Sequence, residues 1–70
     1  MQRQAVKSSN IQSVGYDEDE KVLEIAFKSG TVYRYYNVSK RVHTALMKAE
    51  SKGQYFNVHV KGIYEFRKVD

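Results

Sequence analysis

The segment from Val22 to Tyr36 admits one economical fold, and the rest of the chain is built around it. Leu23, Ile25 and Phe27 alternate with Glu24, Ala26 and Lys28, the period-two pattern of a strand with one buried face. Thr31 to Tyr36 follows, rich in the β-branched and aromatic residues that suit a pleated surface. A two-residue loop at Ser29-Gly30 sets Phe27 against Val32 and Ile25 against Arg34, which places a charge among apolar side chains. A three-residue loop, Lys28-Ser29-Gly30, takes Gly30 to positive φ as a bulge. It sets Phe27 against Thr31, Ile25 against Tyr33 and Leu23 against Tyr35. Glu24 then meets Arg34 on the other face, a cross-strand pair worth a few tenths of a kcal/mol. A slip of one residue turns every side chain to the opposite face, so only this register keeps the pattern.

A chain of 70 residues supports one domain. It buries only about 60% of the surface its unfolded form exposes, so every core residue counts. With no cysteine, neither disulfides nor a thiolate metal site can reinforce it, and a reducing compartment suits such a chain. The six tyrosines and three phenylalanines must therefore supply much of the core. No apolar run approaches the roughly 20 residues of a membrane span. The start, Met1 to Lys7, has no hydrophobic stretch after its charges, so no secretory signal is indicated and a cytoplasmic location is expected.

Residues 1–7 read as a flexible arm and residues 8–70 as the domain. Ile11 to Tyr16 reads as a first strand, in which Gly15 suggests a bulge or the close approach of another backbone. Asp17-Glu18-Asp19-Glu20 is an exposed turn. Its consecutive carboxylates lack the spacing of a calcium loop, so no metal or other cofactor is expected. Ser39 is placed to cap a helix over Lys40 to Ser51, with Val42, Ala45, Leu46 and Ala49 inward and Gly53 as its C-terminal cap. For 54–62, Phe56, Val60 and Ile63 at helical spacing favour a short second helix, against a strand-like alternation of Val58 and Val60. Ile63 to Val69 closes the chain as a strand with Tyr64 and Phe66 inward. The expected class is α+β, a small antiparallel sheet in the order β-β-β-α-(short α)-β with the helices on one face.

The charge is uneven. Residues 1–35 balance Arg3, Lys7, Lys21, Lys28 and Arg34 against Asp17, Glu18, Asp19, Glu20 and Glu24. The later half carries the whole net charge of +4, which suggests an anionic partner. Tyr33 and Tyr35 share a face with Leu23, Ile25 and Phe27 and read as core. Tyr36 falls on the Arg34 face and reads as exposed beside Arg34 and Arg67. Tyr55 stays open, and Asn10 and Asn57 read as backbone caps rather than ligand contacts. The two histidines have no nucleophile or orienting acid at a useful spacing, and no glycine-rich phosphate cradle exists. His43 reads as a surface residue. No catalytic activity and no small-molecule substrate are expected.

Several motifs in order carry a resemblance: Ser8-Ser9-Asn10-Ile11, Val14-Gly15-Tyr16-Asp17, Leu23-Glu24-Ile25-Ala26-Phe27, Ser29-Gly30-Thr31-Val32-Tyr33-Arg34-Tyr35 and Ala49-Glu50-Ser51-Lys52-Gly53-Gln54-Tyr55-Phe56-Asn57. Together they resemble the KTSC domain, named for a C-terminal segment of some lysyl-tRNA synthetases, over roughly residues 7 to 67. Ser39 departs from the proline that the family often places there, and both residues suit a helix start. The resemblance implies a small bacterial or phage protein or an appendage on a larger enzyme, without an assigned activity, and its synthetase context points toward RNA. The leading expectation is thus RNA or another nucleic acid, bound through Arg34, Tyr36, Lys40, Arg41, Lys48, Lys52, Lys61 and Arg67. The alternative is a protein partner or homodimer docking on an outer sheet face of Val22, Ala26, Val32 and Tyr36.

Overall fold

The hairpin forms in the register its side chains require: Leu23 opposite Tyr35, Glu24 opposite Arg34, Ile25 opposite Tyr33 and Ala26 opposite Val32. Phe27 N–H donates to the Thr31 carbonyl at 2.8 Å and Gly30 N–H to the Phe27 carbonyl at 2.9 Å, closing the short loop with Gly30 at φ +99°. The structure, a computed structural model, describes all 70 residues. Its strands are β1 (Arg3–Ala5), β2 (Ile11–Asp17), β3 (Val22–Phe27), β4 (Val32–Tyr35) and β5 (Phe66–Lys68). Helices α1 (Lys40–Lys48) and α2 (Lys52–His59) lie between β4 and β5. The strands form one antiparallel sheet in chain order, β1-β2-β3-β4-β5, so the chain is α+β as expected.

The sheet has one strand more than the sequence suggested. Within the segment read as an arm, Arg3, Gln4 and Ala5 pair with Gly15, Val14 and Ser13 of β2. The glycine explains the addition. A Cβ on Gly15 would stand 3.0 Å from the Gln2 carbonyl oxygen and 3.0 Å from Arg3 Cγ, so this is the close backbone approach that Gly15 suggested. β2 itself bulges between Ile11 and Ser13.

The core lies between the sheet and the helices: Ile11, Val14, Leu23, Ile25 and Tyr35 from one side, Val38, Leu46, Phe56 and Val60 from the other. Leu46 is the residue of the expected α1 stripe that becomes fully buried, while Val42 and Met47 pack at its margin. Helix α1 stops at Lys48 rather than running to Ser51. The reason is a second start signal: the Ser51 hydroxyl accepts from Gln54 N–H at 3.2 Å and caps α2. Gly53 consequently lies inside the first turn of α2 and caps nothing. Ser39 occupies the N-cap of α1, but its side chain makes no capping hydrogen bond.

The second helix forms, with Phe56 and Val60 buried, and it begins earlier than the expected segment. Ile63 does not join that stripe and is 61% exposed, because the chain leaves the helix through Gly62 at φ +80°. The last strand is shorter than Ile63 to Val69. Tyr64 is half-buried against the core, but Phe66 is 59% exposed. It shares the helix-bearing face with Tyr35, yet β5 is an edge strand and no helix stands over it.

Candidate functional site

The sheet face away from the helices carries a row of side chains across all five strands. Arg3 lies opposite Gly15, Gly15 opposite Glu24, Glu24 opposite Arg34, and Arg34 opposite Arg67. Glu24 is only 7% exposed, so its carboxylate needs partners. Arg34 Nε donates to Oε1 at 2.8 Å, and Arg3 Nη1 lies 3.5 Å from Oε2. The hydrogen bond to Glu24, and then its charge, raise the Arg34 pKa above its ordinary value.

Tyr36 is half-buried rather than freely exposed, in a recess with Val22, Arg34, Asp17 and Glu20. The apolar patch expected on this face is mostly closed, since Ala26 and Val32 are buried. Of the other candidates, Lys40 lies 3.5 Å from Glu18, and Lys52 Nζ donates to the Ala49 carbonyl at 3.0 Å. Arg41 and Lys48 are exposed on α1. The fold therefore gathers Arg34, Tyr36 and Arg67 on the outer face, leaves four cations on the helices, and sets Lys61 apart on the opposite side.

Lys61 borders the most distinctive cavity of the molecule, a half-enclosed cleft of about 390 Å³ between β4, β5 and the end of α2. Its walls are Phe27, Tyr33, Tyr35, Phe56 and Phe66. These rings meet mainly edge to face: Phe27 and Phe56 at 5.5 Å, Tyr35 and Phe56 at 5.3 Å, Tyr33 and Phe66 at 5.6 Å between centroids. Asn10 and Asn57 stand at the rim beside Lys61 and Gly62.

The pattern of burial grades the walls. Phe56 and Tyr35 are buried and double as core, while Phe27 and Tyr33 are half-buried and Phe66 is open to solvent. Burial, and secondarily Tyr33, pushes the Tyr35 hydroxyl up to about 12, so it stays protonated at neutral pH. Chemically the cleft offers apolar ring faces and edges, one cation and two side-chain amides. That combination suits a flat, polar-edged ring better than an aliphatic chain.

A larger groove of about 640 Å³ follows the exposed side of α2, past Glu50, Ser51, Tyr55, Val58 and His59. It is a shallow surface with a single aromatic pair, Tyr55 and His59, whose ring centroids are 4.4 Å apart. We take the smaller cleft as the candidate site because it has walls. His43 is not a simple surface residue. It is half-buried, stacked on Tyr16 with centroids 4.7 Å apart and planes 12° from parallel, and burial lowers its pKa. Tyr16 also donates its hydroxyl to the Val38 carbonyl. No group of three or more acidic, imidazole or thiol side chains converges, and no helix is long and apolar enough to cross a membrane.

Only Lys61 links the cleft to the cations singled out from the sequence. From the sequence alone, Asn10 and Asn57 read as caps, and Tyr33, Tyr35 and Phe66 as core. The missed signal is positional: an aromatic on the final strand, after both helices have been spent, has nothing left to cover it.

Comparison with known proteins gives one consistent result. Residues 7–64 match the family model of the KTSC domain. The chain is 46% identical over 57 residues to an uncharacterized protein of Stutzerimonas stutzeri, covering 81% of this chain and 80% of that one. It is 38% identical over 63 residues to a lysine–tRNA ligase of Nostoc punctiforme, covering 90% of this chain and 11% of the ligase. A crystal structure of a KTSC domain protein from Yersinia pestis is 45% identical, with a TM-score of 0.96 and coverage of 99% and 97%.

Proposed function

This chain belongs to the KTSC domain family, and we propose that it is a small non-catalytic module that binds single-stranded RNA by seating one base in its aromatic cleft. The observation that carries the reading is the cleft itself: aromatic walls that double as core, an exposed Phe66 at the mouth, and Lys61 at the rim. Bases stack on aromatic side chains irrespective of sequence, and a neighbouring ammonium holds the adjoining phosphate. A paired base inside a duplex cannot enter such a recess, so the substrate is a single strand, a loop or an end. A segment similar to this chain occurs in lysine–tRNA ligases, which supports RNA over other anions. Arg34 and Arg67 on the opposite face become secondary phosphate contacts at most, since Arg34 is held by Glu24.

The test is an amide-shift NMR titration with a short mixed-sequence single-stranded RNA at low and moderate salt. The expected result is a set of shifts around Asn10, Phe27, Asn57, Lys61 and Phe66, weakening as salt rises. Absence of shifts at both salts, or shifts confined to the Arg34 face, overturns the reading.

A second reading has its own observation. Ile63, Phe66 and Val69 are exposed at 61%, 59% and 40% beside the unpaired edge of β5. A partner strand can add to that edge and cover them. Arg67 and Lys68 favour an acidic partner and disfavour a second copy. Concentration-dependent line broadening without RNA is the outcome that favours self-association.

A further inference from the structure

The polar rim of the cleft has a fixed direction. Ser8 Oγ accepts from the backbone N–H of Asn10 at 3.4 Å and of Ile11 at 3.3 Å, and its hydroxyl donates to Asn10 Oδ1 at 3.3 Å. One hydroxyl can make all three bonds, two as acceptor and one as donor. The same Oδ1 lies 2.6 Å from the place a Cβ on residue 53 would occupy, whereas Nδ2 is 3.7 Å from it. The carbonyl end of the Asn10 amide is thus turned into Ser8 and the first turn of α2, in a space that exists because residue 53 is glycine. The NH2 end carries no hydrogen bond within the protein, and Asn10 is one of the residues that line the cleft.

This orientation sets what Asn10 can recognise. An asparagine pairs with adenine in two-point fashion, accepting from the amino group and donating to a ring nitrogen, and that needs both ends of the amide. Here the acceptor end is engaged and a donor remains. Lys61, at the same rim, has three donors and no acceptor. A rim of donors complements a base edge rich in carbonyl oxygen.

We propose that the cleft selects bases bearing a ring carbonyl, uracil foremost, over adenine, with Asn10 as the specificity-determining residue and Ser8 as its positioning residue. The inference rests on the single-strand reading above, which it makes more specific. Gly53 belongs to the same device, since a side chain there would push the Asn10 amide out of its orientation.

The decisive comparison keeps the protein unchanged and alters the base. Hypoxanthine differs from adenine in carrying a 6-carbonyl in place of the 6-amino group, on the same purine ring, so stacking is nearly matched. Affinities of the full chain for inosine, adenosine and uridine pentamers are measured by NMR titration at one low salt concentration. The expected result is inosine and uridine each about tenfold tighter than adenosine, the effect of one good hydrogen bond near 1.4 kcal/mol. Ser8→Ala frees the amide to turn and should bring the inosine-to-adenosine ratio close to one while the pentamers still bind. Asn10→Asp replaces the donor by an acceptor and should lower the ratio below one. Equal wild-type affinity for inosine and adenosine overturns the selectivity but leaves the single-strand reading standing. If no pentamer binds, that reading itself fails. If Ser8→Ala binds with the wild-type ratio, Ser8 is not the positioning residue.

Discussion

Arg3 reaches Glu24 by passing over Gly15. Its guanidinium lies 3.5 Å from the Glu24 carboxylate, two strands away, and its Cγ occupies the space where a Gly15 side chain would begin. The bare backbone of β2 is therefore what lets the first strand lie flat and its arginine cross to a buried acid. Arg34 approaches the same carboxylate from the other side. One glycine, one acid and two arginines thus join β1 to the centre of the sheet.

Gly15→Val tests this bridge. Valine suits a strand better than glycine in general, but here its Cβ would meet a backbone oxygen, Gln2 O, at 3.0 Å, which cannot swing aside as a side chain can. The three residues of β1 are the cheapest group to displace. Amide hydrogen exchange should show β1 and its β2 partners losing protection, with β3 and β4 protected as before. Urea denaturation should show a loss of about 1–2 kcal/mol. Unchanged protection of the β1–β2 ladder would show that the strand tolerates the side chain.

Gly30 offers the opposite case, because nothing lies within 4 Å of a Cβ added there. Any cost of substitution must come from the backbone, held at φ +99°. Gly30→Ala should already lose most of the stability that Gly30→Val loses, in the range of about 1–3 kcal/mol. Thermal denaturation decides the point. A neutral Gly30→Ala would mean that the loop does not need positive φ.

The hairpin was legible because three constraints agreed: alternation, a charge that must avoid the core, and a glycine at the one place that needs positive φ. The break between α1 and α2 was less so. Lys40 to Ser51 has continuous helical spacing, and only the local hydrogen bond from Gln54 N–H to Ser51 shows where it is cut. The cleft was least legible. Tyr33 and Tyr35 do face inward, as the register demands, but inward-facing rings line a cavity as readily as they fill one. Which occurs depends on how far α2 extends over β5, a tertiary relation that no local pattern encodes. Asn10 illustrates the same limit, since its meaning comes from Gly53, far along the chain.

His43 gives the fold a pH dependence of definite sign. Burial against Tyr16 disfavours its charged form and lowers its pKa, so the unfolded chain binds the proton more readily. Its contribution is intact above the unfolded value near 6.5 and is lost as pH falls below it. Melting temperature should therefore drop between pH 7.5 and pH 5.5, before the carboxylates titrate. His43→Phe keeps a flat ring on Tyr16 and should flatten the profile over that window. A wild-type melting temperature that holds steady or rises toward pH 5.5 would contradict the burial of this imidazole.

Phe66 and Phe56 separate folding from binding within one cleft. Phe56 is 3% exposed and touches Phe27 and Tyr35, so Phe56→Ala should cost about 3–5 kcal/mol and unfold much of so small a domain. Phe66 is 59% exposed on an edge strand, and Phe66→Ala should leave denaturation within about 1 kcal/mol of the parent. If a base packs against Phe66 at the mouth of the cleft, the same variant should lose about 1–3 kcal/mol of affinity for single-stranded RNA, a five- to 150-fold weakening. A residue that is nearly silent in stability but costly in binding has no structural explanation for its aromatic ring. The converse result, a large stability loss with binding unchanged, would return Phe66 to the core and leave the cleft without its proposed contact.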